Sequence, residues 1–156
     1  MIVVAEAGPI HYLVLVGAVD VLEPLYARVA GELQSIGAPD AVRTWVAQPP
    51  MWCEIRPDPP SDPALRFLDP GERAAITLAV SLGASRLLID EWEGRAEAER
   101  RHLRVSGTLG ILAEAHQQRL LDFEAALNRL RLTNFYLSAE LVDRVRRRLS
   151  TGAGTE

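Results

Sequence analysis

The sequence contains no lysine. Its 17 basic residues are all arginine, set against 21 Asp and Glu for a net charge of −4. An acidic total argues against a non-specific nucleic-acid coat, while leaving room for a local arginine patch. Without lysine a phosphate-cradling P-loop is hard to defend, and Gly107-Thr108-Leu109-Gly110 fits neither that motif nor GxGxxG, so a nucleotide-binding domain is a weak reading. The single cysteine, Cys53, excludes an internal disulfide and fits a reducing, cytoplasmic setting. No His stands near it to activate the thiol, so it reads as a small core hydrophobe. No apolar run approaches the ~18 residues of a membrane span. The apolar N-terminus has no basic leader and is interrupted by Glu6, so it reads as structure and not as a signal peptide. His11, His102 and His116 have no metal-ligand spacing, which sets zinc aside.

Hydrophobic residues form 48% of the chain and charged residues 24%, the balance of a folded domain. We read residues 1–149 as one α/β domain and 150–156 as a flexible tail. Ile2–Ala5 is a β-branched run ending at Glu6, with Gly8-Pro9 as a stop. His11–Gly17 and Ala18–Ser35 read as helical, the second because Val21, Leu22, Leu25, Val29 and Leu33 keep helical spacing. A proline-rich excursion over residues 36–63 holds a short helix at Val42–Ala47 and a strand at Trp52–Ile55. Asp69-Pro70-Gly71-Glu72 then opens a helix with Asp at the N-cap, Pro at N1 and Glu at N3, and Gly83 closes it. Arg86–Ile89 (strand), Glu91–Arg101 (helix), Leu103–Ser106 (strand) and a helix from Gly107 to Gln118 continue the βαβ rhythm of a parallel sheet. Helices over about 122–132 and 138–149 finish the chain.

This topology gathers acids. In open α/β sheets, sites form beyond the carboxyl ends of the strands. Glu6 and Asp90 each follow a strand, and Glu72 sits in the first turn of a crossover helix whose N-terminus lies at the same edge. Converging carboxylates repel, and a hard divalent ion, Mg²⁺ or Mn²⁺, offsets their charge. Such an ion coordinates phosphate oxygens and activates a water for attack on phosphorus. Taken singly, Glu72 is also explained as a capping-box partner and Asp90 as a helix cap.

LDPGE, LLIDE, LRVSGTLGIL and TNFYLSAEL, in this order and spacing, resemble the DUF3368 group of PIN-domain proteins over nearly the whole chain. The resemblance implies a three-layer PIN-like α/β fold with a central parallel sheet of about four strands. It further implies a Mg²⁺- or Mn²⁺-dependent endoribonuclease similar to VapC-type toxins, with a small antitoxin partner and a homodimeric state. Glu72 and Asp90 match family acids. Glu6 stands where the family has Asp in a motif like SDTSPL; here the motif reads AEAGPI, longer by one methylene and without the flanking hydroxyls. Glu32 matches a further family acid by local context, although ARVAGEL runs straight through where relatives place a short strand and the start of a helix. These departures support an alternative: a catalytically degenerate PIN-like domain that binds a protein partner.

The remaining candidates carry two readings each. Glu91 and Glu93 read as solvated surface, with Glu91 a possible metal ligand. Arg95 and Arg146 are candidate RNA contacts. Arg95, Arg100, Arg101 and Arg104, alternating with acids, read more simply as an ion-paired surface. Arg144, Arg146, Arg147 and Arg148 read as cations complementing a helix C-terminus, with RNA phosphate or an acidic partner as the alternative. Trp92 reads as core or interface packing, against base stacking. Thr108 reads as a helix cap, against a part in holding a water at the site.

Overall fold

The computed structural model describes residues 2–31, 38–57, 59–60 and 62–152. Five short strands, β1 (Val3–Ala5), β2 (Val29–Gly31), β3 (Cys53–Ile55), β4 (Arg86–Leu88) and β5 (Val105–Ser106), form one parallel sheet. Their order is β3-β2-β1-β4-β5, one strand more than expected. Val3 pairs with Val29 on one side and Arg86 on the other, and Ala5 with Gly31 and Leu88. The chain winds outward from β1 to β3, then crosses back to β4. The switch point therefore lies between the carboxyl ends of β1 and β4.

Alternation along the strands divides the core in two. Val3, Ala5, Val29 and Leu88 face one layer, built from α1 (Ala7–Leu15), α2 (Leu22–Tyr26), α6 (Thr108–Gln117), α7 (Phe123–Arg131) and α8 (Ala139–Gly152). Val4, Ala30, Leu87 and Ile89 face the other, with α4 (Pro70–Leu82) and α5 (Trp92–Arg100). Helix α3 (Asp40–Ala47) lies against α1. Strands buried on both faces read as unbroken apolar runs, as a parallel sheet requires. Cys53 is buried within β3, and its thiol is pushed up to about 11 by desolvation, so it is an inert core residue. Among the described residues no helix is long and apolar enough to cross a membrane.

The start of α4 follows its local chemistry. Asp69 Oδ1 accepts the Glu72 amide at 2.9 Å, Pro70 occupies N1, and Gly83 ends the helix in the left-handed region at φ 60°. Such a cap contributes about 1 kcal/mol.

Two sequence expectations fail. Ala18–Ser35 is not one helix: a 3₁₀ turn at Val19–Val21 and the brief α2 give way to β2. Ala27 takes φ 64°, which breaks the helix, and Val29 and Ala30 are buried between β1 and β3 instead. Pairing on both sides outweighs helical spacing here. Gly8-Pro9 is likewise no stop, since both lie inside α1. Pro9 falls in the first turn, where its missing N–H has no helical acceptor to lose. At the other end, α8 runs to Gly152.

Candidate active site

The ends of β1 and β4 are tied together. The Glu6 amide donates to Leu88 O at 2.9 Å, and on the far side of β4 the Ile89 amide donates to Ser106 O of β5 at 2.9 Å. Beyond these bonds the two strands release Glu6 and Asp90 at the same edge.

Glu6 is the N-cap of α1, and its Oε2 accepts the Gly8 amide at 2.8 Å. Burial raises its pKa despite that bond, and the charges of Asp69 and Asp90 raise it further. Asp90 is held at two points: Oδ1 accepts the Thr108 amide and Oδ2 the Thr108 hydroxyl, both at 2.7 Å. Desolvation still raises its pKa, against the lowering effect of those two bonds and of Arg95. Glu72, 5% exposed, is pushed up to about 7, first by burial and then by Asp69, with Glu91 and Glu6 adding repulsion.

The three predicted carboxylates share one neighbourhood. The position that a Cβ on Gly8 would occupy lies 2.9 Å from Glu6 Oε2 and 3.8 Å from Asp90 Oδ2. A Cβ on Gly71 would stand 3.0 Å from Glu6 Oε1 and 3.6 Å from Asp69 Oδ1. Asp69 is the acid that sequence reasoning missed, because its capping role accounted for it. The clue was present in LDPGE, which places two acids within one turn of a helix that starts at the site edge. Glu91 is exposed at the N-cap position of α5 and bears on Asp90 and Glu72 by charge alone. Glu32 lies outside the described residues, although β2 ends at Gly31, paired with Ala5 beside the site.

The donor set is all oxygen, which suits a hard cation. Among the described residues, no three His, Cys, Asp or Glu side chains stand arranged to hold a metal ion. Mg²⁺ commonly uses one or two carboxylates and keeps several waters, so the Glu6–Asp90 pair is the part of the cluster that fits such an ion.

A cleft of about 850 Å³ opens from these acids. Glu6, Asp90 and Glu91 line it, as do Arg95, Trp92, Tyr136 and Arg148. Trp92 is 78% exposed, so the core-packing reading is corrected. Tyr136, 85% exposed, is a second aromatic at the cleft that no local motif singles out. Arg86 also faces the cleft but is engaged with Ser106 at 2.6 Å and Glu114 at 3.7 Å.

Three further readings change. The Thr108 hydroxyl does not cap α6, whose N-cap is Gly107; it donates to Asp90. Arg144 to Arg148 do not sit at a helix C-terminus, because α8 continues past them and its last turn holds no cation. Arg146 is not among the residues lining the cleft and makes a two-point pair with Glu124 on α7, at 2.8 and 2.9 Å. Arg95 does line the cleft, near Asp90. Arg100 and Arg101 are ion-paired with Glu97, as the alternating charges suggested.

A five-stranded parallel sheet with helices on both faces, and acids at its switch point, is the architecture of a PIN-like α/β fold. The chain belongs to the DUF3368 family of PIN domains, whose model matches residues 2–151. No curated protein and no solved structure matches it.

Proposed function

We propose that this PIN domain is a divalent-metal-dependent endoribonuclease that hydrolyses RNA phosphodiesters. The observation that carries the reading is the approach of Glu6 and Asp90 at the β1–β4 switch point, on the wall of a cleft that also presents Arg95, Trp92 and Tyr136. Glu6 and Asp90 would hold Mg²⁺ or Mn²⁺, with Glu72 and Asp69 adding negative charge beside them. When bound, such an ion polarises phosphate oxygens and eases deprotonation of a water.

The chain's own groups prepare that chemistry. Thr108 holds Asp90 through both carboxylate oxygens, fixing its rotamer. Arg95 places a guanidinium beside Asp90, where a phosphate would enter. Trp92 and Tyr136 offer faces on which bases of a single strand stack. No side chain in this scheme becomes covalently bound to substrate.

The finer reading extends to a small antitoxin protein as partner, a homodimer and a cytoplasmic setting. Its support is the likeness to VapC-type toxins and the single cysteine. A second reading, a degenerate PIN domain that binds a partner without cutting, is favoured by one observation: Glu6 spends an oxygen capping α1. Incubating the purified protein with RNA and Mn²⁺ separates the two. The nuclease reading expects cleavage that Asp90→Asn abolishes; cleavage that persists in that variant removes Asp90 from the reaction.

A further inference from the structure

Three glycines border the acids of the site. A Cβ on Gly8 would sit 2.9 Å from Glu6 Oε2, and one on Gly71 would sit 3.0 Å from Glu6 Oε1. One on Gly107 would meet Asp90 Oδ1 at 2.9 Å and an Arg95 nitrogen at 2.8 Å. A Cβ on Gly94 would stand 3.4 Å from the Glu72 carboxyl carbon, but it would first meet Ile89 Cδ1 at 2.7 Å, which already explains that glycine as packing. Gly17, Gly83 and Gly110 face open space. Gly8, Gly71 and Gly107 thus bear on the carboxylates, and two of them flank the same one.

Position 6 carries a glutamate at the end of β1. A glutamate reaches roughly one C–C bond further than an aspartate from the same backbone, and that length has to be accommodated. Here the side chain folds back so that Oε2 meets the Gly8 amide at 2.8 Å while Oε1 turns toward Gly71. The carboxylate thereby occupies space that side chains at positions 8 and 71 would otherwise fill, between the first turns of α1 and α4.

We propose that Gly8 and Gly71 are positioning residues that let a glutamate present its carboxylate at this site. The inference rests on the nuclease reading for its purpose, but its geometry is independent of it. The atom in the way of either Cβ is the end of a flexible side chain, not backbone. A methyl group at Gly8 therefore leaves the fold intact and moves the carboxylate, whereas an aspartate at position 6 would end short of the obstruction.

The test compares Gly8→Ala, Glu6→Asp and Gly8→Ala/Glu6→Asp, with Gly71→Ala as an independent probe of the other side. Titration calorimetry with Mn²⁺ should show Gly8→Ala weakening binding by about 10-fold or more, the scale seen when a group that orients a metal ligand is lost. The same Gly8→Ala step should cost much less when Glu6→Asp is already present. An equal loss in both backgrounds, or no loss in either, overturns the proposal. A crystal structure of Gly8→Ala gives a readout free of metal: the Glu6 carboxylate should be displaced and its bond to the residue 8 amide lost. An unmoved carboxylate in Gly8→Ala and in Gly71→Ala overturns the proposal even if Mn²⁺ binds. Absence of Mn²⁺ binding by the wild type counts against the nuclease reading, and the crystal comparison still decides the role of the glycines.

Discussion

Replacing Glu72 with glutamine isolates the cost of holding an ionised carboxylate in the site. Glu72 is 5% exposed and its pKa is pushed from the ordinary 4.5 up to about 7 by burial and by Asp69. A folded-state value above the unfolded one means that the native protein binds more protons between pH 4.5 and 7. Stability from this group is therefore highest below that window, declines as pH rises through it, and levels off above pH 7. Discounted for solvent screening and for the charge shared with Asp69, the ionised group costs on the order of 1–2 kcal/mol above pH 7. Glutamine keeps the shape without the charge. Glu72→Gln should match the wild type near pH 4.5 and exceed it at pH 8, in metal-free urea denaturation with a chelator present. Added Mn²⁺ should shrink the gap, because a cation stabilises the charged wild type. Wild type and variant declining in parallel from pH 5 to 8 would refute the claim that Glu72 carries a burial penalty.

Thr108→Val removes the hydroxyl donor to Asp90 and should destabilise the fold by about 1–2 kcal/mol in urea titration, since a buried acceptor loses its partner. Trp92→Ala and Tyr136→Ala should each weaken single-stranded RNA binding by about 10-fold in fluorescence anisotropy, with melting temperatures unchanged, because both rings are exposed. Arg146→Ala breaks the exposed pair with Glu124 and should leave both melting temperature and RNA cleavage as in the wild type. A drop in cleavage there would return Arg146 to the substrate path.

Much of the architecture was legible because it is written locally. Asp69-Pro70-Gly71-Glu72 and Gly83 specify both ends of α4 through caps and φ preferences, with no help from distant residues. Strand β2 was illegible for the opposite reason. Val29 fits a helical stripe with Leu22 and Leu25, and what makes it a strand is pairing with Val3 and Cys53, contacts that no local window contains. The site divides in the same way. Glu6 and Asp90 follow apolar strands, so topology alone brings them together. Asp69 escaped because one role already explained it, and Thr108 was given the wrong partner because Asp90 lies 18 residues away. The arginines of α8 were misjudged through a helix end placed too early, which converted mid-helix residues into a C-terminal cluster.

The central claim is that Glu6 and Asp90 share one divalent cation. A crystal soaked in Mn²⁺, with data collected for anomalous scattering, tests it most directly. A single strong peak is expected beside the Glu6 and Asp90 carboxylates at the ends of β1 and β4. No peak at millimolar Mn²⁺, or a peak bound elsewhere with those two carboxylates uninvolved, would contradict it.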